Sequence, residues 1–453
     1  MKTDTLWSLR LGFSGKQSDS ITRKGIKGFL KDSFAASFDT KEPAFLSDDP
    51  KTLAELKDFR DRIKNADSDE SKKMLRDQLQ NSLELKTWWL DKMINDTYPL
   101  REKMVCFWHN HFVSTSQKVK VNYWIYLHNQ LLREQAFGNF KTLTKKVIQT
   151  NAMVRYLDNV DNKRGKINEN LSRELLELFT LGIGNYTEDD IKNGAKALSG
   201  LGLGEKNAQY RPLFEDPDTI TYLGKTGKFK ADDLVDIIFE QKNSPYRITR
   251  KLLKWFIYDN PKEELVQYYG DYLRKQNFEI QPLLIKMFTE EYDKQNAGSK
   301  IKNPLEYILP LLDELHISEP NLKAIAVFLR QQQMDLFNQP NVKGWDGGKS
   351  WLTSQVYLQR NTVADLLCRG RFVNPNKDND KSIAVSLKWN PNGTNKTIIT
   401  ELKERLLFQT DSNLQQDFEN ILKYDFNPKA DNADLAVLRL FNAMIKTPEY
   451  QLI

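Results

Sequence analysis

Two of the chain's four histidines stand together in Trp108-His109-Asn110-His111-Phe112. Imidazole is the usual proton carrier near neutral pH and the commonest metal ligand. Residues two apart on a helix point ~200° away from each other. An unbroken helix from Leu100 therefore puts His111 with Leu100, Met104 and Phe107, and His109 with Val105 and Phe112. The two rings converge on one metal only where the helix ends or distorts near Asn110, which the following Val113-Ser114-Thr115-Ser116 allows. Both faces are apolar, so the helix is expected to be buried. A pair of hydrogen-bonded core histidines is the competing reading.

A second constellation runs from Asn168 to Gly182. At ~100° per residue, Glu169, Arg173, Glu174 and Glu177 share one arc, and Leu171, Leu175, Leu176, Leu178 and Phe179 fill the other side. Glu169–Arg173 and Arg173–Glu177 are both i,i+4 pairs. The array suits acid/base work or a hard cation, with Arg173 fixing the carboxylates or holding an anion. A solvated face of surface ion pairs is the alternative. One histidine is expected to meet a carboxylate of this helix at hydrogen-bond distance, while the other packs in the core.

The third constellation is the loop Phe337-Asn-Gln-Pro-Asn-Val-Lys-Gly-Trp-Asp-Gly-Gly-Lys-Ser-Trp351. Trp345 and Trp351 among Asp346, Lys349 and amides form a sugar- or base-stacking arrangement, or else a loop pinned by buried indoles. Its glycine spacing is neither a Walker loop nor a dinucleotide fingerprint.

Charge concentrates between Lys118 and Lys166, where ten cations face three acids, a net +7 in a chain that totals +6. Lys118, Lys120, Lys141, Lys145, Lys146, Lys163, Arg164 and Lys166 form the expected basic patch, open to an anionic polymer or nucleic acid. A solvated helical surface is again the alternative.

These residues need elements to hold them. Hydrophobic spacing predicts helices over 49–95 (punctuated at Ser68 and Asp69), 100–112, 124–133, 143–158 and 168–181. A capping box at Thr187 and Asp190 opens another, ending near Gly200. Further helices are expected at 231–242, 244–259, 261–276, 280–292, 303–316, 319–335, 351–368, 399–423 and 431–446. Residues 1–45 and 371–400 look irregular, though Ile383–Trp389 alternates as a strand does, and a short hairpin is expected around Ile220–Leu223. The fold class is mainly α: a large multi-helix unit over 1–453. Its alternative division is into packed halves 1–205 and 230–453, joined by a loop-rich seam at 200–231.

Composition narrows the rest. With 40% hydrophobic residues, the chain has bulk for a large core, which excludes wholesale disorder. Two cysteines, Cys106 and Cys368, exclude a disulfide scaffold or a Cys-rich zinc module and read as buried thiols. No apolar run is long enough to span a membrane, and the N-terminus lacks a signal's apolar segment. The expected compartment is therefore the cytoplasm.

The order of these motifs resembles the bacterial family catalogued as domain of unknown function 1800. The residues that carry the resemblance are Leu9-Arg-Leu-Gly-Phe13, Pro99–Phe112 with its Trp-His-Asn-His-Phe, Asn168–Gly182, Lys302-Asn-Pro-Leu-Glu-Tyr307, Pro340–Leu352 and Thr447-Pro-Glu-Tyr-Gln-Leu452. The resemblance implies that His109, His111, Glu169, Arg173, Glu174, Glu177, Trp345 and Gly348 belong to the family pattern. Relatives often carry an export signal and sit beside a sulfatase-like partner protein, which implies envelope or polysaccharide-related work. This chain departs in lacking that signal. It also lacks the histidine of a His-Asp pair near Phe214-Glu-Asp-Pro-Asp218, which alters any site that pair helps to form.

The leading expectation is a hydrolase-like protein acting on a saccharide or phosphate-bearing polymer. Its catalytic candidates are His109, His111, Glu174 and Glu177, and its substrate-binding candidates are Arg173, Trp345, Asp346 and Lys349. For a metal the candidates are His109, His111 and Glu169, and both the metal and any cofactor are left open by the sequence. The rivals are a non-catalytic binding or assembly protein whose motifs form a buried polar network, and polyanion binding through 118–166.

Overall fold

Side-chain caps set ten of the helix starts among the described residues. Thr52, Thr187 and Asn303 each close a capping box with an acid three residues on, and Asp67, Asn139, Thr150, Asn321, Thr353, Thr394 and Asp411 cap singly. Each cap satisfies backbone N–H groups that the first turn leaves without partners. The computed structural model describes residues 1–294, 296–372, 383–423 and 426–453. Among these, 62% is helical and the only sheets are two small antiparallel pairs, so the chain is mainly α. One pair, Ile220–Tyr222 with Lys225–Gly227, is the expected hairpin. The other joins Leu201–Gly202 to Gln209–Tyr210.

Three expectations need correction. Residues 1–45 are not irregular: they carry helices Thr3–Leu11 and Ser18–Ala35. Their glycines mark joints, since Gly12 follows the first helix and Gly25, at φ +66°, kinks the second. Spans 143–158 and 399–423 each hold two helices, because Thr150 and Asp411 cap new starts inside them. Ile383–Trp389 forms no strand, although its side chains alternate between half-buried and exposed. The period-two pattern is real, but the segment lies on helices and finds no strand to pair with among the described residues. The remainder of the irregular span 371–400 falls partly on 373–382, outside the described residues.

One hydrophobic cluster runs from Trp7 to Tyr450 and includes Leu201, Ile220 and Tyr222 of the loop-rich seam. Cys106 and Cys368 are free and buried within it. Among the described residues, no helix is long and apolar enough to cross a membrane.

Candidate functional site

Helix Leu100–His111 continues through both histidines, so their rings face different surroundings. His109 is fully buried between Trp89, His128 and Phe337. Gln339 Nε2 donates to its Nδ1 at 3.3 Å and to its carbonyl at 3.2 Å. Burial and the neighbouring His128 push its pKa well below the ordinary value. His109 is thus a neutral core histidine.

His111 turns the other way. Its Nε2 donates to the Phe179 carbonyl at 3.1 Å, and its Nδ1 lies 3.1 Å from Lys251 Nζ. The partner on the carboxylate-bearing segment is therefore main chain, not the carboxylate expected. Burial, then the charges of Lys251 and Arg247, keep this ring neutral too.

The Glu helix explains that substitution of partners. It is α-helical only over Asn170–Glu174 and winds as a π-helix over Leu175–Thr180, with Leu181 N–H reaching back to the Leu176 carbonyl. This wider turn presents the carbonyls of Leu178 and Phe179 to Arg247 Nε (2.8 Å) and to His111. It also shifts Glu177 off the ideal 100° arc. Glu177 accepts from Tyr186 Oη at 3.1 Å rather than pairing with Arg173. Arg173 joins Glu169 (2.9 Å) and both oxygens of Glu188 (3.1 and 3.0 Å) in a partly exposed cluster. Exposed pairs contribute little, so Arg173→Ala is expected to move the melting temperature by no more than about 2 °C. A loss of several degrees in a thermal scan would show a structural role instead.

The Trp loop reaches this region from more than two hundred residues away. Trp345 N–H donates to Asn110 Oδ1 at 2.6 Å. Gly344, at φ +89°, packs so closely that a Cβ there would lie 2.3 Å from Asn110 Oδ1 and 2.5 Å from its carbonyl oxygen. The three central motif residues thus face two distant segments: His109 and Asn110 meet the Trp loop at Gln339 and Gly344-Trp345, and His111 meets Lys251.

Between them lies a cavity of about 210 Å³. Its walls are Phe107, Trp255, Trp345 and Trp351, and its polar groups include His111, Lys251, Lys254, Lys300, Lys343, Asp259 and Asp346. The indole N–H groups of Trp255 and Trp345 are buried and find no acceptor among the described residues. Lys251 is pulled down to about 7 by burial, then by Arg247 and Lys254. The carboxyl of Asp259 is raised by burial.

Of the residues expected from sequence, His111, Trp345 and Asp346 line this cavity. Glu174 sits outside its lining but within electrostatic reach of Lys343, and burial followed by Glu177 raises its carboxyl. Lys349 is exposed on the loop, apart from the cavity lining. The metal candidates His109, His111 and Glu169 do not gather, and no group of three or more His, Cys, Asp or Glu among the described residues is placed to hold a metal. Sequence reading missed Asn110, Lys251, Lys254, Trp255, Asp259, Lys300 and Lys343. A basic stripe at Arg247, Lys251 and Lys254, on helix Ser244–Phe256, was the available signal, but it matches a solvated face.

Beneath the cavity is a buried charged hub. Glu306 accepts from Lys103 at 2.6 Å, from Lys300, and from the Asn303 N–H at 2.9 Å. Lys103 also donates to the Gly12 carbonyl at 2.8 Å. Residue Lys300 pairs its backbone with Ile453, and Lys302 pairs with Gln451. The two ammonium groups outweigh burial and hold Glu306 at about 2, whereas for Lys103 burial outweighs Glu306 and lowers it to about 8.

A family model described as a protein of unknown function, DUF1800, matches residues 5–452. The chain belongs to the DUF1800 family. No curated protein and no solved structure matches it. In this DUF1800 chain the segments that carry the family resemblance assemble in two places. Pro99–Phe112 and Pro340–Leu352 line the cavity, with Asn168–Gly182 behind His111 through the Phe179 carbonyl, while Leu9–Phe13, Lys302–Tyr307 and Thr447–Leu452 meet at the hub below. Lys300 touches both.

The basic window is less positive than its count. Arg133 is buried on Glu102 (2.6 and 2.8 Å), Lys118 pairs with Asp158, and Lys141 and Lys145 share Asp236. Lys120, Lys146, Arg164 and Lys166 remain exposed, and Lys163 lies over the Phe214 ring.

Proposed function

We propose that this protein binds an anionic, ring-bearing unit of a polymer in the Trp345 cavity: a sugar carrying sulfate, phosphate or carboxylate. The observation that carries this is a cavity walled by four aromatic rings and lined by four lysines. Sugar faces stack on aromatic rings, their hydroxyl and anionic oxygens accept from N–H groups, and ammonium groups neutralise the charge. Asp259 and Asp346 supply acceptors for hydroxyls.

Hydrolysis is the reaction class this arrangement supports best. Glu174, a carboxyl raised by burial and then by Glu177, would serve as the acid that protonates a leaving group of a substrate extending beyond the cavity lining. Polymer sections outside the cavity would run along the exposed cations of 118–166. A sulfatase-like partner, working on the same class of anionic polymer, fits this reading.

The test is calorimetric titration with a sulfated disaccharide and its desulfated counterpart, followed by an assay for released reducing ends. The sulfated compound should bind, and Trp345→Ala should weaken it by about tenfold or more, roughly 1.4 kcal/mol. Indifference to both the sulfate and the Trp345 ring would overturn the proposal. A purely structural role is favoured at one position: His109, sealed from the cavity, should tolerate no loss of packing yet leave affinity unchanged in any variant that folds.

A further inference from the structure

We propose that Lys251 is a nucleophilic amine that forms an imine with the carbonyl carbon of an anionic aldehyde or ketone held between His111 and the Trp345 loop. For the anionic part of the ligand this rests on the cavity reading above; the covalent chemistry is additional to it.

The Phe179 carbonyl oxygen only accepts, so His111 Nε2 carries the proton facing it. A neutral imidazole then has its lone pair on Nδ1, and Nδ1 faces Lys251 Nζ at 3.1 Å. Lys251 therefore donates to His111 and is aimed by it. Among the described residues no carboxylate forms an ion pair with Lys251, although lysines throughout the chain do find one. The charges that act on it are those of Arg247 and Lys254 on its own helix, and Arg247 is itself drawn to Glu177 and Tyr186. An amine without a counter-ion, beside like charges and aromatic walls, gives up its proton easily. Its lowering to about 7 is in keeping with that placement. Lys254 and Lys343 line the same cavity and remain to hold the anionic group.

The step balances without any redox partner. The Nζ lone pair bonds to the carbonyl carbon, and the C=O π pair moves to oxygen. Nitrogen then releases two protons to that oxygen, which leaves as water as the C=N bond forms. His111 Nδ1 is placed to receive the first proton and return it to the departing oxygen, while Nε2 stays bonded to Phe179. One carbonyl compound and one amine give one imine and one water.

Pyridoxal 5′-phosphate, an aldehyde carrying a phosphate, is the probe. The full chain is treated with it at pH 7, reduced with borohydride, digested and mapped by mass spectrometry. Lys251 should be labelled at least about tenfold faster than exposed Lys146, because a neutral amine is the reacting form. Inorganic phosphate should slow the labelling, Lys251→Arg should abolish it at this site, and His111→Gln should slow it. Label spread over surface lysines with Lys251 unmodified overturns the proposal. Should phosphate or the sulfated disaccharide raise the melting temperature while Lys251 stays unlabelled, the cavity reading stands and imine chemistry falls. Absence of both effects removes the two together.

Discussion

Glu306→Gln is expected to cost about 3–5 kcal/mol, the size typical of removing one partner from a buried ion pair. Glu306 is the single carboxylate between Lys103 and Lys300, all three of them buried. Glutamine keeps the shape and can still close the capping box with Asn303, so the variant isolates charge from helix capping. Two ammonium groups are left without a counter-ion in a dry interior. For a chain of this length the melting temperature should fall by about 3–6 °C. The acid dependence gives a second signature. Glu306 titrates at about 2 in the fold against an ordinary 4.5, so the unfolded chain binds the proton first. Its stabilising contribution is complete above about pH 4.5 and drains away as pH falls toward 2. The gap between wild type and variant should therefore close across that window. Adding Lys103→Met to the Glu306→Gln background should recover part of the loss, since one unpaired charge is removed. A variant as stable as wild type at pH 7 would mean that Lys103 and Lys300 are solvated or neutral, and the hub would lose its meaning.

That hub shows where reading a sequence succeeds and where it stops. The capping box at Thr187 and Asp190, the hairpin at Ile220 and most helix spans were legible, because periodicity and caps are local. The opposed directions of His109 and His111 were legible too, since they follow from helix geometry alone. The exchange of a carboxylate for the Phe179 carbonyl was not, because it depends on a π-turn. Nothing in Leu175-Leu-Glu-Leu-Phe-Thr180 distinguishes i→i+5 from i→i+4 winding; tertiary contacts at Arg247 and His111 accompany the wider turn. Lys251 was invisible for a related reason. A lysine at i+4 from an arginine reads as solvent-facing until a loop a hundred residues later covers it. Asn110 was passed over between two histidines, yet it is the residue on which that loop rests.

The cover itself can be tested at one atom. Gly344→Ala is expected to unseat the Trp345 loop and abolish binding of the sulfated disaccharide, while the helical core stays folded. Two effects act together. A φ of +89° is a conformation that side chains with a Cβ rarely adopt. The new methyl would also lie 2.5 Å from the Asn110 carbonyl oxygen, and that oxygen belongs to a helix buried by Trp108 and Phe112, which cannot yield. The loop must lift, so Trp345 N–H leaves Asn110 Oδ1 and its ring leaves the cavity wall. Strain and the lost hydrogen bond should lower stability by about 2–3 kcal/mol, far less than collapse of the core would. Trp345, now 5% exposed, should become wet, giving a red-shifted emission that a Trp345→Phe control lacks. Asn110→Ala offers the complementary case. It removes the side-chain acceptor but creates no clash, so the loop should loosen and affinity fall only partly. Combining it with Gly344→Ala relieves the contact with Oδ1 but not the one with the main-chain oxygen, so the double variant should bind no better than Gly344→Ala alone. Restored binding in the double variant would place the obstruction at the side chain, and unchanged binding in Gly344→Ala itself would show that the ligand site does not need the Trp345 wall.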